Sequence, residues 1–179
     1  MSRRSQILIA LVLGAMSVQA FAQQRFAFDL DVPAGHSSFW GVDDLQGAQS
    51  LVAEVEVREF RQHSRWAANF NIALRSGSQR WAFTFQRIER KNTLMARVST
   101  SDGGQQTGEL DIDGAVIERR QRATLALDWS EPGVVAVSLD GRPVGRYRLE
   151  FLPTAVRVGA STIELSGHSL ILGSGIGSR

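Results

Sequence analysis

The stretch Gly108-Glu109-Leu110-Asp111-Ile112-Asp113 sets three carboxylates at alternate positions: Glu109, Asp111 and Asp113. In an extended chain, residues i and i+2 project to the same face about 6–7 Å apart. Two carboxyls on one face suit retaining glycoside hydrolysis, one as nucleophile and one as acid/base, held about 5–5.5 Å apart across a sugar groove. The same spacing also describes a half-buried strand, with Leu110 and Ile112 toward a core and the acids toward water. That second reading needs nothing beyond the strand and is the expected one. A calcium site on Asp111 and Asp113 would require six or more oxygens, and only these two suggest themselves. No metal and no cofactor are expected.

A second group of residues suits recognition rather than turnover. Trp40 sits in HSSFWGVDDLQG, residues 36–47, which reads as a long polar connection containing Phe39, Asp43 and Asp44. Aromatic rings stack on the apolar faces of sugars, and nearby carboxylates accept hydroxyl hydrogen bonds. The competing reading is that Phe39 and Trp40 plug the end of the fold. Asn69 and Asn71 alternate with Phe70, Ile72 and Leu74, so the two amides share the wet face of one strand. Glu54, Glu56, Gln86 and Arg97 are expected on neighbouring strands. Together they would make a polar stripe of the kind that holds a saccharide in a shallow trough, or simply a solvated sheet face. Trp40, Asn69 and Asn71 are the candidate ligand-binding residues.

Other chemistries find no support. His36, His63 and His168 are far apart, with no H-x-H or H-E-x-x-H spacing for zinc. No G-x-S-x-G elbow occurs. Gly173, Gly175 and Gly177 imitate a phosphate loop but precede no helix. Arg119, Arg120 and Arg122 lie beside Glu118 and read as a solvated loop of mixed sign.

The elements that must carry these residues are strands. Period-two alternation runs through nearly the whole chain, as in Phe26, Phe28, Leu30 and Val32, or Leu51, Ala53, Val55 and Val57. Turn signals separate the runs: Ser76-Gly77-Ser78, Asp102-Gly103-Gly104, Glu131-Pro132-Gly133 and Asp140-Gly141. Asp-Gly tolerates positive φ at both central positions of a type I′ hairpin. Residues 59–66 lack a sustained 3.6-residue period. The sum is an all-β fold of about 11–12 short antiparallel strands, better housed in two stacked sheets than in one, a jelly-roll-like β-sandwich.

The first 22 residues read as a secretory signal peptide. Arg3 and Arg4 form its basic end, Ile7 to Val18 its apolar stretch, and Ala20-Phe21-Ala22 its cleavage site. The apolar run is shorter than the roughly 20 residues that span a bilayer, so no membrane insertion of the mature chain is expected. Residues 23–179 make one domain. The whole chain has 20 basic and 18 acidic residues, a formal net charge of +2. Arg3 and Arg4 account for that excess, so the mature chain is neutral and nothing suggests a nucleic-acid partner. With no cysteine, an exported domain must rely on packing alone. The expected location is periplasmic or extracellular.

Residues 124–161, TLALDWSEPGVVAVSLDGRPVGRYRLEFLPTAVRVGAS, are similar to the late strands of the concanavalin A-like lectin and glucanase superfamily, which includes laminin G-type and pentraxin-type domains. The resemblance lies in the hairpin Ser138-Leu139-Asp140-Gly141-Arg142 and in the strand Val156-Arg157-Val158-Gly159. It implies the sandwich fold and leaves function open, because fold alone does not fix function. Its hydrolase branch, glycoside hydrolase family 16, carries E-x-D-x-x-E or E-x-D-x-E on one strand. That pattern would make Glu109 nucleophile, Asp111 its support and Asp113 the acid/base. In the bulged version the last position falls on Gly114, which donates no proton. The sequence therefore points to a non-catalytic recognition domain for a glycan or cell-envelope polysaccharide. A module that binds an envelope protein and an unusual glycosidase remain as alternatives.

Overall fold

In the computed structural model, residues 24–88 and 92–173 are described. The signal segment and the last glycines, 175 and 177, lie outside the described residues. The described residues form twelve strands. In order they are β1 (Gln24–Asp31), β2 (Ser37–Val42), β3 (Ser50–Phe60), β4 (Asn69–Ser76), β5 (Gln79–Arg87) and β6 (Thr93–Asp102). They continue with β7 (Gln105–Glu118), β8 (Arg122–Asp128), β9 (Val134–Leu139), β10 (Arg142–Arg148), β11 (Ala155–Ser161) and β12 (Ile163–Gly173).

Each sheet has six strands. The first runs β1-β12-β3-β8-β9-β10 and the second β2-β11-β4-β5-β6-β7. Every pairing is antiparallel. The alternation read from the sequence does the sorting. Phe70, Ile72 and Leu74 on β4 and Trp81, Phe83 and Phe85 on β5 are fully buried, as are Leu51, Val55 and Val57 on β3 and Leu125 and Leu127 on β8. Burying a side chain of this size is worth about 1.5–3 kcal/mol, so the inward rows of the two sheets form one core and supply the main driving force. Phe70 and Phe85 stack at 5.0 Å. Phe85 meets Phe83 edge-on at 5.3 Å. The indole N–H of Trp81 is buried among these rings without an acceptor among the described residues.

The hairpin between β9 and β10 turns as its residues require. Asp140 has φ +50° and Gly141 φ +74°, both positive, as in a type I′ turn. The Asp140 carboxylate also accepts a hydrogen bond from the Thr124 amide at 2.8 Å, which fastens the turn to β8.

One local expectation needs correction, and two strands run longer than their local apolar patterns. Residues 36–47 are not all connection, because Ser37–Val42 is the edge strand β2, paired to β11. Its serines and glycine hid the alternation. The apolar pairs at 163–165 and 170–172 belong to one strand, β12, interrupted by register shifts where it pairs with β3. The short pair Leu110 and Ile112 lies within the 14-residue strand β7.

Candidate functional site

Register is kept from β2 to β6, and from β6 to β7 between two register shifts at Met95/Ala96 and Thr100/Ser101, so single rows of residues cross the second sheet there. One row runs Phe39 (β2), Gly159 (β11), Asn71 (β4), Thr84 (β5), Arg97 (β6) and Asp111 (β7). Their chain neighbours Phe70, Ile72, Phe83, Phe85 and Val98 are buried, so this row lies on the outer face. The adjacent outer row is Gly41, Arg157, Ala73, Ala82, Ser99 and Glu109. Small residues form its middle, and longer polar chains stand around them.

The polar chains are tied to one another. Arg80 Nη2 donates to Asn71 Oδ1 at 3.1 Å, and the Asn71 amide lies over Gly159, where a Cβ would stand 2.9 Å from Nδ2. Burial, with Arg75 adding its charge, pushes the Arg80 guanidinium below its ordinary pKa. Arg97 sits between two carboxylates. Its Nε donates to Asp111 Oδ1 at 2.6 Å, and its Nη1 donates to Glu109 Oε1. Gln106 Nε2 donates to the other Glu109 oxygen at 2.9 Å. The hydrogen bond that Arg97 donates to Asp111 is the main reason that its guanidinium is held above its ordinary pKa, and both carboxylate charges add to it. Arg157 pairs with Asp43 at the β2 edge. Beside Arg97 and Asp111 opens a cavity of about 250 Å³ that Gln86 and Met95 also line.

The three carboxylates of β7 are therefore not equivalent. Glu109 and Asp111 grip Arg97. Asp113 has left the row, because Met95 pairs with Val116 while Ala96 pairs with Ile112, so residues 113–115 form a bulge with no partners on β6, in which Ala115 is buried. Gly114 takes φ +78° there, a left-handed conformation that suits glycine. Ile112 is buried as expected. Leu110 is not: it is 55% exposed, because β7 is the edge strand of its sheet and the inward side of that end is incompletely covered.

Trp40 and Phe39 divide between the two expected roles. Trp40 is partly buried against the core, stacked on Phe28 at 5.5 Å and tilted against Phe26 at 5.4 Å, so it is the plug. Phe39, one position earlier and hence on the opposite face, is 73% exposed at the β2 end of the row. Asn69 also lies on the outer face, paired across to Gln86, and its Nδ2 donates to the Ala67 carbonyl at 3.0 Å. The expected stripe was partly wrong. Gln86 and Arg97 do share the face with the asparagines, but Glu54 and Glu56 lie on β3 in the first sheet. There they pair with Arg122, and Glu56 also with His168. Thr84, Arg80 and Ser99 were missed. Each stands at the wet position of an alternating strand, and only the pairing between strands shows that they meet Asn71 and Arg97. Among the described residues no group of three or more His, Asp or Glu is placed to hold a metal ion.

No family model matches the chain, and no curated protein matches it in sequence. Solved structures do match in shape. Caenorhabditis elegans galectin LEC-6 superposes with a TM-score of 0.59 at 13% identity, covering 83% of this chain and 95% of that one. The metal-free carbohydrate recognition domain of Emp46p gives 0.59 at 11% identity, with 86% and 88% covered. Bacillus licheniformis beta-glucanase gives 0.51 at 8%, with 72% and 67% covered. What these structures share with the chain is the fold, a jelly-roll-like sandwich of two antiparallel sheets. At these identities the likeness concerns the sandwich, and lectins and a hydrolase share it alike.

Proposed function

We propose that the protein is a carbohydrate-binding module whose ligand lies along the outer face of the second sheet. The observation that carries this reading is the register row from Phe39 to Asp111. It brings an exposed aromatic ring, an amide, a hydroxyl and a carboxylate-braced guanidinium onto one face above a floor of Gly159, Ala73 and Ala82. Phe39 offers a ring to the apolar side of a sugar. The Asn71 amide nitrogen, the Thr84 and Ser99 hydroxyls and Arg97 offer hydrogen bonds to its hydroxyls. The Asn71 amide and the Arg97 guanidinium are held by neighbours before any ligand arrives, so less ordering is required on binding. Two of the similar structures are a galectin and a carbohydrate recognition domain, which supports the same reading.

The ligand proposed is a glycan or cell-envelope polysaccharide, met outside the cytoplasm once the N-terminal signal has been removed. Mass spectrometry of the secreted or periplasmic protein should find Gln23 at its N-terminus. Affinity electrophoresis through gels containing different soluble polysaccharides tests binding. Retardation in at least one gel is expected, and Arg97→Ala should weaken it about tenfold, the equivalent of about 1.4 kcal/mol. Unchanged migration in every gel would turn the search toward an envelope protein partner.

A further inference from the structure

A cavity of about 740 Å³ opens at the loop between β3 and β4, lined by Arg61, His63, Arg65, Trp66 and Arg87 with no carboxylate among its described lining residues. The whole chain is close to neutral, with a net charge of +2, so this concentration of cations is local. Asp31 pairs with Arg61 from the flank. The Arg87 guanidinium lies 4.9 Å from the centre of the Phe60 ring, and the Arg87 amide donates to the Ala68 carbonyl at 2.8 Å.

The loop is braced from within. The Arg65 amide donates to His63 Nδ1 at 3.2 Å, and the His63 ring meets Trp66 edge-on at 6.2 Å. Gly35 backs onto the same imidazole: a Cβ there would stand 2.8 Å from Nε2. Trp66 nevertheless remains 45% exposed. An indole this open beside guanidinium groups presents an apolar plane next to planar donors that match carboxylate or sulfate oxygens. The cavity also adjoins the outer face of the second sheet, since Ala68 precedes Asn69, Arg87 follows Gln86, and those two residues pair across β4 and β5.

We propose that residues 61–68 with Arg87 form an anion-binding subsite that takes the carboxylate or sulfate of an acidic saccharide, with Trp66 against the sugar ring. The saccharide part rests on the glycan reading above; the capture of an anion does not.

The test is titration of the ¹⁵N-labelled protein at low ionic strength, first with inorganic sulfate alone. It is then repeated with uronate oligosaccharides, sulfated dextran oligosaccharides and neutral dextran oligosaccharides of matched length. Sulfate should shift the amides of 62–67 and the Trp66 indole, and the shifts should shrink as sodium chloride screens the charges. Acidic saccharides should bind at least fivefold more tightly than neutral ones. Arg65→Gln, an exposed change whose folding the same spectrum verifies, should remove that advantage. Preference for uronate or for sulfate esters would tell which acid the site takes. The proposal is overturned if sulfate leaves the loop unshifted, if neutral oligosaccharides bind as well as acidic ones, or if Arg65→Gln changes nothing. Sulfate shifts in the loop with no saccharide response along Phe39–Asp111 would leave the anion pocket standing and remove the glycan reading instead.

Discussion

Two residues of identical charge on β7, Glu109 and Asp113, are assigned different work by their positions. Glu109 holds Arg97, whereas Asp113 stands in the bulge without a polar partner among the described residues. Glu109→Gln should therefore weaken polysaccharide binding several-fold by loosening Arg97, and Asp113→Asn should leave it unchanged, as read by calorimetry. Equal effects from both would mean that the carboxylates act together on the ligand, as a hydrolase pair would. On the first sheet, the hydrogen bond from His168 at 3.0 Å holds the Glu56 carboxyl below its ordinary value of 4.5. A carboxyl with a lowered folded pKa contributes stability above its unfolded value and loses it as the pH falls through the folded one. Melting temperatures should therefore drop on acidification below about pH 4.5, and Glu56→Gln should flatten part of that drop.

At the scale of elements, what a strand contributes depends on its neighbours. Alternation shows which residues of β4 are wet, but not that Arg80 from β5 binds Asn71, nor that β11 lies against β4 rather than β10. The nonlocal pairing of β11 with both β2 and β4 places Gly159 beneath the Asn71 amide. Gly159→Val should then fill the floor of the row and displace Asn71. Polysaccharide binding should be lost while the midpoint of urea unfolding moves little, since the added methyls point outward. A folded variant that still binds fully would place the ligand elsewhere. The sandwich, the Asp140-Gly141 hairpin and the wet side of β4 were legible because period two and turn chemistry are local. Strand β2 was not, because Ser37-Ser38-Phe39-Trp40-Gly41-Val42 alternates too weakly, and its bonds to β11 decide its conformation. The exposure of Leu110 was hidden for a similar reason, since edge position belongs to the sheet and not to the strand.

For the whole molecule, stability must come from packing, because the chain contains no cysteine. Phe83, fully buried between the phenyl ring of Phe85 and the indole of Trp81, is a central contributor. Phe83→Ala should cost about 3–5 kcal/mol, measured as a shift in urea unfolding with the slope retained. The Trp81 N–H has a consequence of its own. Sealed between the sheets and without an acceptor among the described residues, it can trade its proton for deuterium only when the sandwich parts, since local fraying at the edges does not reach it. Its exchange rate in heavy water should therefore track the free energy of global unfolding, so one indole resonance becomes a gauge of the opening of the entire domain.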